Sequence, residues 1–94
     1  MSPSEDVLCS MIELSARDAG DAEWDELEAR SERCSVGQER IEVVEARALA
    51  AARHGRTEAA RRAIGRALEL AARIPNAMGA RLRRRAREIT GAPP

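Results

Sequence analysis

The stretch Arg81-Leu82-Arg83-Arg84-Arg85-Ala86-Arg87 packs five arginines into seven residues and is the densest run of chemistry-bearing side chains in the chain. Guanidinium groups clamp carboxylates and phosphates through forked hydrogen bonds, so this run predicts binding rather than bond-making. The inventory for catalysis is thin. His54 is the single histidine, and Cys9 and Cys34 are the two cysteines. That set cannot build an ordinary zinc site, and two cysteines make no disulfide scaffold. His54 precedes Gly55, where a helix end and its carbonyls are expected. Cys9 and Cys34 fall on apolar stripes with no adjacent base to generate a thiolate, which makes them small hydrophobes. Asp25/Glu28 and Glu28/Glu32 share a helix face, and solvation alone accounts for such acid pairs. No acid, base and nucleophile converge, so the expectation is a non-enzyme with no cofactor and no metal.

Charge is segregated along the chain. Residues 1–45 hold 13 acidic and 4 basic side chains, a net of −9, and residues 46–94 hold 3 acidic and 12 basic ones, a net of +9. The halves can neutralise each other within one molecule, between two copies, or through partners of opposite sign. All the basic residues are arginine.

Length supports one small domain over residues 1–94. The apolar content of 44% is inflated by 19 alanines, and Trp24 is the single aromatic. Alanine favours helix and close helix approach but buries little surface, so a thin core is expected. The start Met1-Ser2-Pro3-Ser4-Glu5-Asp6 is acidic and unlike a secretory leader, and no apolar run nears the ~20 residues that cross a bilayer. A cytoplasmic location away from membranes follows as the expectation.

These side chains must be positioned by helices. Ser2-Pro3-Ser4-Glu5 has the pattern of a capping box with proline at the first helical position. The helix after it carries Val7, Leu8, Met11, Ile12 and Ser15 on one stripe and should end near Ala19-Gly20. Asp21 caps a second helix with Trp24, Leu27, Ser31 and Cys34 inward and Asp25, Glu26, Glu28 and Glu32 outward. Ser35-Val36-Gly37-Gln38 opens a third helix through His54, with Ile41, Val44, Ala48 and Ala51 inward. A fourth, from Arg56 or Thr57 to Ile74-Pro75, buries Ala60, Ala63, Ile64, Ala67, Leu68 and Ala71. Asn76 caps a short fifth helix with Met78, Leu82, Ala86 and Ile89 on one side, and Gly91 ends it. The fold class is all-α: antiparallel helical hairpins, four longer helices plus a short C-terminal one.

Gly20 and Gly55 lie 35 residues apart, near the 34-residue period of tetratricopeptide repeats. Ala48, Gly55, Ala60 and Ala67 suit the small positions of that repeat, so the second half resembles a tetratricopeptide-like hairpin. Separately, the segment from Ser10 to Leu27, ending Gly20-Asp21-Ala22-Glu23-Trp24-Asp25-Glu26-Leu27, resembles the opening of FliT-type flagellar export chaperones. Those begin with an apolar helix, then Gly-Asp-Trp-Asp-x-x-Leu, then an acidic helix. Here two extra residues separate Asp21 from Trp24, and Arg30 stands where the family keeps an apolar residue. The resemblance implies a cytoplasmic chaperone that covers an aggregation-prone helix of a filament protein, with Trp24 and Leu27 in the core of its first hairpin.

The resulting expectation is a non-catalytic adaptor or chaperone that holds a partner helix in an apolar groove. Val7, Leu8, Met11 and Ile12 on the first helix, with Met78 and Leu82 on the last, are the expected walls. Arg81, Arg84 and Arg85 would steer an acidic protein partner. A self-associating, tetratricopeptide-like homodimer is the second reading. A helix-turn-helix binding DNA is the third, disfavoured by the missing turn glycine, the acidic half and the lack of aromatic residues that stack on bases.

Overall fold

The computed structural model describes residues 3–17, 19–32, 38–73 and 79–91. Five helices fill them: α1 (Pro3–Ala16), α2 (Asp21–Ser31), α3 (Gln38–Arg53), α4 (Thr57–Arg73) and α5 (Gly79–Thr90). The all-helical class and the hairpin arrangement read from the sequence are therefore present. At 12 residues α5 is slightly longer than α2, which at 11 is the shortest helix.

Punctuation explains the boundaries. Pro3 opens α1, where its missing N–H costs nothing. The helix stops at Ala16, short of the expected Ala19-Gly20, and Ala19 is buried in the turn instead. The N-cap of α2 is Gly20, in extended backbone at φ −79 and ψ 167, rather than the expected Asp21. Asp21 is drawn away as the first helical residue, its carboxylate 3.1 Å from Arg47 on α3. Between α3 and α4, Gly55 takes φ +80, and two reversed hydrogen bonds close the helix end: Gly55 N–H to the Ala52 carbonyl at 3.1 Å and Arg56 N–H to the Ala51 carbonyl at 2.8 Å. This left-handed C-cap needs a residue without Cβ. His54 is exposed in that turn. The expected caps Ser2, Ser35 and Asn76, the Ile74-Pro75 stop, and Met78 and Cys34 lie outside the described residues.

The molecule is a slab of 41 × 31 × 16 Å. α3 is its middle element. α1 and α2 pack on it from one side, α4 and α5 from the other, and α1 makes no contact with α5. Two small cores result. Val7, Leu14, Ala19, Trp24 and Leu27 meet Val43 and Ala50 of α3. Ile41, Val44 and Ala48 of the same helix meet Ala63, Ile64, Ala67, Ala71 and Leu82. Fully burying one Leu, Ile or Val contributes about 1.5–3 kcal/mol, and each core holds only a few.

Candidate partner-binding surface

Apolar residues left at the surface gather on α1. Its orientation is fixed by two sets of contacts. Arg30 of α2 reaches Asp6 Oδ2 at 2.5 Å and Ser10 Oγ at 2.8 Å, which marks the side facing α2. Arg53 of α3 donates to the Ser15 carbonyl at 3.0 Å, and Met11 packs with Ala46 on the shared core, which marks the side facing α3. At 3.6 residues per turn, Leu8 and Ile12 lie just beyond Met11 and Ser15. They are 49% and 61% exposed, the large hydrophobics left open among the described residues. On α3, Ala46 and Leu49 stand three residues apart and are half-buried. Cys9, expected on the apolar stripe, is exposed beside Leu8, because the buried side of α1 is centred on Val7 and Leu14.

The other expected groove residues are placed differently. Val7 is 4% exposed and Leu82 is fully buried. Each belongs to a separate core on opposite sides of α3, so the first and last helices form no shared groove. Arg81 and Arg85, expected to steer a partner, are occupied within the fold. Arg81 grips Glu45 of α3 through Nε at 3.2 Å and Nη2 at 2.8 Å, and Arg85 Nε lies 3.9 Å from the same carboxylate. Arg84 stays exposed.

Glu45 is one of two buried acids among the described residues that the periodicity does not reveal. The other is Glu28, assigned above to the outward face of α2 and 5% exposed in the fold. Arg47 Nη1 donates to Glu28 at 2.5 Å, and Arg66 of α4 brackets the same carboxylate. Arg47 also holds Asp25 at 2.7 Å and Asp21 at 3.1 Å. Burial pulls the Arg47 guanidinium down, but the hydrogen bonds to Asp25, Glu28 and Asp21 outweigh it and the group is held above its ordinary value. At the exposed α1–α2 turn, Arg17 clasps Glu23 at 2.8 and 2.9 Å, and Gly20 N–H donates to the same carboxylate at 3.2 Å. The hydrogen bond from Arg17, then that from Gly20, lowers the Glu23 carboxyl, and the same contact raises Arg17.

Among the described residues no three His, Cys, Asp or Glu side chains come together as a metal-ion site. No helix of the described residues is long and apolar enough to cross a membrane. No family model matches the chain, and neither the curated proteins nor the solved structures contain a match to it.

Proposed function

We propose that the protein is a non-catalytic helical-hairpin module that binds a partner protein along α1. The observation that carries this reading is the stripe of Leu8 and Ile12, open to solvent beside half-buried Met11. Closing the open half of both side chains contributes about 2 kcal/mol, less than association costs. The partner must therefore also cover Met11 and neighbouring apolar surface such as Ala46 and Leu49. An amphipathic helix laid along α1 has that footprint. The order of helix contacts supports a stacked-hairpin scaffold of the tetratricopeptide kind, since each helix packs on the next and α3 also packs on α1 and α5. The Gly20–Leu27 resemblance to flagellar export chaperones would make the client a helix of an exported filament protein.

A photo-crosslinking residue placed at Ile12 in cells, with the same residue at Glu26 on α2 as the control, tests the reading. The expected result is a discrete heterologous adduct from position 12, absent from position 26 and lost when Leu8→Asp is added. An adduct that survives Leu8→Asp, or equal labelling from both positions, refutes it. A filament protein in the adduct would carry the export reading, and any other client would remove it.

A further inference from the structure

The structure uses part of its segregated charge internally and leaves a cationic patch and an anionic patch on opposite sides of α3. Four arginines of the basic half are consumed by acids of the other half: Arg47 and Arg66 by Glu28, Arg81 and Arg85 by Glu45. Three are not. Arg83, Arg84 and Arg87 are exposed, and none is ion-paired to a described carboxylate. At 3.6 residues per turn they occupy one face of α5, turned away from the core side carrying Leu82, Ala86 and Ile89. This is the outer face of the last helix.

The first hairpin shows the complement. A groove of about 180 Å³ runs between α1 and α2, with Glu13, Glu23 and Glu26 along its walls. Its two arginines, Arg17 and Arg30, are already taken by Glu23 and Asp6. Glu13 has a single long contact at 3.8 Å and is 70% exposed at its side chain, and Glu26 is exposed without an ion pair among the described residues. Asp21, Asp25 and Glu28 turn to Arg47 on α3, so Glu26 points to the outside of the stack.

We propose that these two patches belong to one interface, in which the arginine face of α5 in one copy lies against the acidic α1–α2 groove of the next. These two patches meet only between molecules, because neither α1 nor α2 touches α5 within one. With the two patches on opposite sides of α3, the proposed contact is head-to-tail, and it repeats from copy to copy into a ring or an open chain. Its charges are exposed, which makes it weak and strongly dependent on salt. It is independent of the Leu8–Ile12 stripe. The competing account is that a helical stack ends in polar faces to stay soluble, and it predicts a monomer.

Sedimentation velocity across protein concentration in 20 mM and 500 mM NaCl decides between them. The expected result is concentration-dependent growth beyond dimer at low salt, weakened at least ~10-fold at high salt as screening shortens. Arg83→Glu/Arg84→Glu/Arg87→Glu and Glu13→Arg/Glu26→Arg are each expected to be monomeric alone, since each then meets its own charge. Mixed together, they restore association, because every head-to-tail contact is again of opposite sign. Circular dichroism confirms that both variants are folded. A wild-type monomer at low salt overturns the proposal, as does a salt-resistant dimer or a mixture that stays monomeric. Leu8→Asp leaves this association unchanged while abolishing client capture, which separates the two readings.

Discussion

Replacing Glu28 by glutamine tests the polar weld between α2, α3 and α4. The substitution keeps the shape of the side chain and removes its charge. In the structure this carboxylate is 7% exposed, and it receives Arg47 at 2.5 Å and a forked grip from Arg66. Removing one partner of a fully buried pair costs about 3–5 kcal/mol, because the other charge is stranded. Neither arginine is stranded here. Arg47 retains Asp25 and Asp21, and Arg66, 45% exposed at its side chain, can turn into water. What remains is the loss of two charge-assisted contacts, offset by solvation of Arg66, so the expected cost is about 2–3 kcal/mol. In a domain of this size that lowers the melting temperature by roughly 10–20 °C.

Urea unfolding followed by circular dichroism at pH 7 measures it. Asp25→Asn is the matched control, since Asp25 is 68% exposed at its side chain and should cost no more than ~1 kcal/mol. A Glu28→Gln change under about 0.5 kcal/mol would refute the reasoning, because the buried carboxylate would then hold nothing together. A double-mutant cycle with Arg66→Ala should return at least ~1 kcal/mol of coupling.

Two further predictions concern the backbone and pH. Gly55→Ala and Gly65→Ala should shift stability in opposite directions, although an added Cβ meets nothing within 4 Å at either site. Gly55 sits at φ +80, so alanine there costs about 1–2 kcal/mol, whereas in the middle of α4 alanine adds about 0.5–1 kcal/mol through helix propensity and a stiffer unfolded chain; chemical denaturation of the two variants checks the signs. Lowering of the Glu23 carboxyl means that its contribution is complete above the ordinary value of 4.5 and disappears as pH falls through the depressed one. Glu23→Gln should therefore flatten the acid side of the stability profile between about pH 5 and 3 without changing its shape near pH 8, and identical acid slopes in both proteins would contradict the assignment.

Helix α4 was readable because a single side of it is buried. Ala60, Ala63, Ile64, Ala67 and Ala71 follow the helical repeat without interruption, and all are in the core. Helix α3 was half-readable for the opposite reason. The helical repeat puts Ile41, Val44, Ala48 and Ala51 on its inner side, but Val43 and Ala50 are buried too, against α1 and α2. A helix between two layers has no single apolar stripe, and the adjacent Val43-Val44 was the available sign of it. Glu28 and Glu45 were missed because carboxylates are normally exposed, and their partners lie 38 and 36 residues away along the chain. On α1 the stripe was visible, but adjacent residues such as Val7 and Leu8 differ by 100° around the axis. Which of them faces the core is decided by where α2 and α3 sit.

An alanine-rich core explains why the arginines are placed as they are. Alanine lets helices approach closely but supplies little transfer free energy, so the junctions between layers need another source of specificity. Buried ion pairs are poor stabilisers when both charges lose water. Arg66, Arg81 and Arg85 keep 45%, 43% and 41% of their side-chain surface open, while Arg47, 15% exposed, is surrounded by three carboxylates. In the pairs made by Arg66, Arg81 and Arg85 desolvation therefore falls mainly on the carboxylate, and at Arg47 it is offset by hydrogen bonds to Asp25, Glu28 and Asp21. Without Arg66 of α4 and Arg81 and Arg85 of α5 in their places, Glu28 would keep only Arg47 and Glu45 would be buried without a cation. Charge segregated along the sequence thus ties α2 to α3 and α4, and α5 to α3, adding directional contacts to a core of small apolar residues.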